Sequence, residues 1–92
     1  MSKPEPPQLQ LQMPPDVQRG AYANQVLIAN TKEEFVFDFV FNAPPQAVVN
    51  ARVILAPAHA KRLLQALQQS IAQYEAHFGE IDTSIPEPPA RH

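Results

Sequence analysis

The chain contains no cysteine, only two glycines, no basic block and no long apolar run. Each absence excludes something. Without cysteine there is no disulfide, no thiolate-held zinc and no iron–sulfur cluster, and a reducing compartment fits. Two glycines, Gly20 and Gly79, are too few for a glycine-rich phosphate loop. No stretch approaches ~18 apolar residues, the length that spans a bilayer. Leu9, Leu11 and Met13 are separated by glutamine and proline, so they form no apolar targeting segment. The cytoplasm is the expected location, and no membrane association is expected. The formal net charge is −2, so nucleic-acid affinity would need a local cationic patch.

Proline, in contrast, is plentiful. Pro4, Pro6, Pro7, Pro14 and Pro15 fall within residues 1–19, and Pro86, Pro88 and Pro89 within residues 83–92. Proline has a fixed φ and no N–H, so both segments read as disordered, extended Pro-rich tails. Pro4-Glu5-Pro6-Pro7 matches a P-x-x-P pattern, for which plain solvation is the default reading. Residues 20–82 are left to form an α+β domain. A chain of that size buries only ~60 % of its unfolded surface, and small domains usually add disulfides, a metal or a partner subunit. With no cysteine, self-association is the expected reinforcement.

Ala21–Asn30 reads as a first strand, and Asn30-Thr31-Lys32-Glu33-Glu34 as a polar turn. Phe35–Phe41 is the clearest strand, with Phe35, Phe37, Phe39 and Phe41 on one face at period two. Asn42-Ala43-Pro44-Pro45-Gln46 is expected to break it. A third strand covers Val48–Leu55. Pro57 opens a helix that runs to Phe78, where Gly79 stops it. Ala56 offers no side-chain oxygen to cap the first turn, at a cost of roughly 1 kcal/mol. The expected fold is therefore α+β: a three-stranded antiparallel sheet followed by one long helix (βββα), dimerised.

The helix carries Ala60, Leu64, Leu67, Ile71, Tyr74 and Phe78 at spacings of 4, 3, 4, 3 and 4, a heptad-type stripe that Leu63 widens. The phenylalanine face of the sheet is the expected bed for it. The other sheet face offers Val36, Val40, Val48 and Ile54 around Asp38 and Arg52. A solvated face would show a cleaner polar alternation. This face, Val36, Asp38, Val40, Val48, Arg52 and Ile54, is the candidate oligomer interface, with Asp38 and Arg52 expected to pair within one sheet or between subunits.

No constellation suits catalysis. Ser70 and His77 lie about 10 Å apart along one helix, too far for a proton relay. His59 and His77 stand ~27 Å apart, so they cannot chelate one ion within a chain. Glu33 and Glu34 sit in a turn. No enzyme activity, cofactor or metal is expected. Lys61 and Arg62 near the helix start, with Arg52 and Arg19, are the candidate nucleic-acid contacts.

Five blocks carry a family resemblance: Tyr22-Ala23-Asn24; Glu34-Phe35-Val36-Phe37-Asp38-Phe39; Arg52-Val53-Ile54-Leu55; Pro57-x-x-Ala60-Lys61-x-Leu63; and Tyr74-Glu75-x-x-Phe78-Gly79-x-Ile81. In this order the chain resembles an uncharacterised bacterial family known as a domain of unknown function. The family's serine before the helix proline is replaced by Ala56. The resemblance implies a small, stand-alone, cytoplasmic bacterial protein, and no activity comes with it. In fold alone, the expected sheet, long helix and assembly are similar to the export chaperone SecB. The expected function is a non-enzymatic homo-oligomeric binding or adaptor protein, chaperone-like in character. The alternative is a small nucleic-acid-binding regulator using a symmetric Lys61/Arg62/Arg52 patch.

Overall fold

The computed structural model describes residues 9–84. The expectations placed on residues 1–8 and 85–92, among them the P-x-x-P motif and the last prolines, lie outside the described residues. In chain order the elements are α1 (Pro15–Gln18), β1 (Gln25–Asn30), β2 (Phe35–Ala43), β3 (Gln46–Leu55) and α2 (Pro57–Phe78). The strands form one antiparallel sheet in the order β1-β2-β3, and α2 follows it, which is the βββα architecture expected.

Three local features differ from the expectation. The first is α1, a single helical turn inside the stretch read as an extended tail. Proline is at home there because Pro15 occupies the first helical position, where an N–H would have no partner. Arg19 closes the turn on Asp16 at 2.8 Å, and Gly20 ends it at φ 74°.

The second is the start of β1, at Gln25 rather than Ala21. Asn24 does by side chain what a strand does by backbone. Its Oδ1 accepts from the Asn42 N–H at 2.8 Å, and its Nδ2 donates to the Asn42 carbonyl at 3.0 Å. The amide thus stands in for a peptide group and satisfies both backbone groups of Asn42.

The third is the link between β2 and β3. The expected break is a two-residue turn: β2 continues to Ala43 and β3 begins at Gln46, with a cis peptide bond between Pro44 and Pro45. Both prolines occupy loop positions, where no ladder N–H is needed. The β1–β2 turn closes differently. Thr31 Oγ1 accepts the N–H groups of Glu33 and Glu34 at 3.1 and 3.2 Å, and the Thr31 N–H donates to the Glu34 carbonyl at 2.9 Å.

The chain divides into two compact units, one holding the chain to Ala29 with Val36–Ile54, the other Asn30–Phe35 with the chain from Leu55 on. In the strand unit the buried hydrophobic residues are Phe37, 9 % exposed, and Val40, 4 % exposed. Both belong to the central strand, and by strand alternation they face opposite sides of it. In the other unit α2 buries no residue along its 22 positions. Of the stripe expected to fill a core, Ala60 is half-buried and the large residues are exposed, from 39 % at Ile71 to 74 % at Phe78. Ala56 makes no side-chain cap bond, and Gly79 ends the helix at φ 93°, a conformation that glycine alone adopts without strain.

Candidate binding surface

Residues of even number on β2 and β3 share one sheet face, and one interaction demonstrates it. Arg52 Nε donates to Asp38 Oδ1 at 2.7 Å, and Arg52 Nη2 to Asp38 Oδ2 at 2.9 Å. The pair expected from sequence is therefore made within one sheet, fork to fork. The hydrogen bonds from Arg52 hold the Asp38 carboxyl below its ordinary range. Partial burial opposes that shift, and the nearby positive charge adds to it. The same contact raises Arg52 further above its ordinary value.

The six candidate interface residues do not share one environment. Val40 is buried, Val36 and Asp38 are half-buried, and Val48, Arg52 and Ile54 are exposed. The boundary follows the strands: members on central β2 are covered, and members on edge strand β3 are open. On the other edge, β1 exposes Val26, Leu27 and Ile28. On β3, Val49 and Val53 are exposed on the opposite face as well.

The residues that fasten this surface were not evident from sequence. Asn50 Nδ2 donates to the Tyr22 carbonyl at 2.8 Å, Asn42 Nδ2 to Gln25 Oε1 at 3.1 Å, and the Asn24 N–H to the Val40 carbonyl at 3.0 Å. The Tyr22 ring meets Phe41 edge-on, with centroids 5.7 Å apart. Tyr22-Ala23-Asn24 therefore works as a clasp on the sheet. The available signal was asparagine itself: Asn42 and Asn50 lie in strands, where β-propensity disfavours them.

At the helix start, Lys61 and Arg62 are exposed. Arg62 Nη1 lies 3.1 Å from His59 Nδ1, one turn back. Two of the other candidate cations are engaged: Arg19 with Asp16 and Arg52 with Asp38. At the helix end, Glu75 is no free surface charge. Its Oε2 accepts the Ile81 N–H at 2.8 Å, while its carbonyl accepts the Gly79 N–H at 2.9 Å. The Glu75-x-x-Phe78-Gly79-x-Ile81 block is thus a helix-closing device. Tyr74 and Phe78 stack against each other on the last turns, centroids 5.0 Å apart.

Among the described residues no group of three or more His, Asp or Glu is placed to hold a metal ion. The concavities at Glu80–Ser84 and Pro15–Arg19 are each formed by one short stretch of chain and open widely to solvent. No helix among the described residues is long and apolar enough to cross a membrane. The arrangement is that of a small βββα protein whose apolar edge strands and helix stripe stand open. The chain belongs to the family described as a protein of unknown function (DUF3467), whose model matches residues 1–83. No curated protein and no solved structure matches it.

Proposed function

We propose that this protein is a non-enzymatic homo-oligomer that binds non-native or extended polypeptides, an adaptor or chaperone-like protein of the bacterial cytoplasm. One observation carries the reading: both edge strands expose aliphatic side chains, Val26, Leu27 and Ile28 on β1 and Val48, Val49, Val53 and Ile54 on β3. Exposed apolar side chains gathered along an edge strand mark a site for interaction. An edge strand also offers unpaired backbone groups, so an extended peptide gains both main-chain hydrogen bonds and apolar contact there.

The nucleic-acid alternative is less well supported. Its patch needs Arg52, and the Arg52 guanidinium is already gripped by both oxygens of Asp38.

The test uses the full chain and a labelled, permanently unfolded polypeptide, followed by fluorescence anisotropy at low salt and at about 1 M salt, where the Debye length is ~3 Å. Binding that survives high salt, with Val48→Asp and Ile54→Asp weakening it, is expected. No binding at either salt concentration overturns the reading. Binding of an oligonucleotide instead, falling steeply with salt, establishes the alternative.

A further inference from the structure

The stripe on α2 has the proportions of half an interface, and its geometry specifies the other half. Its six members, Ala60, Leu64, Leu67, Ile71, Tyr74 and Phe78, keep the heptad alternation along a continuous helix of 22 residues. We infer that two copies of this protein pair through α2 in antiparallel orientation, stripe on stripe, with Lys61 of each copy opposite Glu75 of the other. The inference deepens the homo-oligomeric part of the proposed function and rests on it.

Three observations support this occupant and this orientation. The first is volume. In an antiparallel pair centred between Leu67 and Ile71, Ala60 of one copy faces Phe78 of the other, Leu64 faces Tyr74, and Leu67 faces Ile71. Every layer then sets a smaller side chain against a larger or equal one, which is how packed cores interdigitate. A parallel pair would set Ala60 on Ala60 and Phe78 on Phe78, leaving a gap at one end and crowding at the other.

The second is charge. The positions flanking the stripe on one side are Lys61, Gln68 and Glu75. Turned antiparallel, they read Lys61 to Glu75, Gln68 to Gln68 and Glu75 to Lys61, so each charge meets its opposite and the centre is neutral. Flanking positions of this kind set partner and orientation in coiled coils. The Ile81 N–H binds Glu75 Oε2 at 2.8 Å, which fixes the carboxylate on the last turns of the helix.

The third is area. Leu63, Leu64, Leu67, Ile71, Tyr74 and Phe78 are 39–74 % exposed, so each copy offers up to about 600 Å² and a fully covered pair reaches about 1,200 Å², the lower bound of a specific interface. The opposite helix face, Gln65, Gln69 and Gln73, is polar and suits solvent.

The experiment measures absolute mass by light scattering after size exclusion over a concentration series, with circular dichroism as the check on folding. The wild-type chain is expected to dimerise. Leu67→Asp should weaken the dimer by about a hundredfold or more, because it places a carboxylate in the seam. Lys61→Glu should weaken it on the order of tenfold, since two attractive pairs become repulsive. The double reversal Lys61→Glu with Glu75→Lys should dimerise about tenfold more tightly than Glu75→Lys alone, the comparison that holds the lost bond to Ile81 constant. In a parallel pair the two residues would lie about 21 Å apart along the axis, and no such gain would follow.

Orientation is read separately with nitroxide labels, each on a single introduced cysteine. Ser70→Cys should give a short separation across the two-fold axis, and Ala58→Cys one beyond about 30 Å. A dimer indifferent to Leu67→Asp and to both reversals overturns the helix pairing and leaves self-association through the sheet standing. A short separation at Ala58 overturns the antiparallel arrangement. A wild-type monomer across the series overturns the pairing and the oligomeric reading together, while polypeptide binding is decided by the anisotropy assay.

Discussion

The strand unit and the helix unit each carry a regular apolar pattern and treat it in opposite ways. In the strand unit, β2 has a neighbour on each side, so Phe37 and Val40 are covered on opposite faces of one strand. Asparagine side chains then tie the lead-in chain to the sheet. In the helix unit, α2 buries no residue. Position among neighbours, more than hydrophobicity, decides which apolar residues are covered. A helix gains most of its stability from packing its apolar face, so α2 has more to gain from another surface than β2 does.

The largest expected effect puts the same change into each unit. Val40→Asp places a carboxylate at a site only 4 % exposed, beside Asp38, and should cost about 3–5 kcal/mol, enough to unfold the strand unit. Leu64→Asp, in dilute solution, should change stability by less than about 1 kcal/mol, because the site is already wet. Urea titrations followed by circular dichroism compare the two. Equal costs would break the contrast.

A smaller effect tests the clasp. Asn24→Ala removes both side-chain bonds to Asn42 and should cost about 1–2 kcal/mol, with faster hydrogen exchange at the Asn42 N–H. A cost near zero would make the clasp incidental to the strand unit. On the helix side, Ala56→Ser supplies the missing cap and should stabilise α2 by about 0.5–1 kcal/mol, seen as a higher melting temperature.

The smallest effect is a pH dependence within the strand unit. Asp38 has a lower pKa folded than unfolded because Arg52 hydrogen-bonds its carboxylate. Below its ordinary value of 3.8 the unfolded chain takes up the proton first. The stability from this pair is therefore complete above that pH and is lost as pH falls through the lower folded value. Asp38→Asn should flatten that part of the acid limb of urea midpoint against pH, leaving the neutral region to report only the lost pair.

Much of the fold was legible because its signals are periodic. The phenylalanine alternation located β2, the heptad spacing located α2, and Gly79 marked the helix end. Asp38 and Arg52 were legible as a pair because each is the lone charge in its strand. What was missed depends on contacts between residues far apart in sequence. Asn24 replaces a strand residue only because Asn42, eighteen positions on, lies opposite it. Pro14 and Pro15 read as extended chain, although the second suits the first position of a helical turn. Pro44 and Pro45 read as a break because neither donates to a ladder, yet a two-residue loop requires no donor there. The stripe on α2 was legible, but its exposure was not, since periodicity gives the direction of an apolar face and not what covers it.

The Pro44-Pro45 turn has a consequence for how the sheet meets its surroundings. Neither residue carries an amide hydrogen, so at the tip of the β2–β3 hairpin two successive peptide units offer carbonyl oxygens alone. A strand approaching end-on finds acceptors with no matching donors, and backbone pairing cannot continue around that corner. The hairpin tip is in effect a hydrogen-bonding dead end, which leaves only the long flanks of the sheet open to backbone pairing.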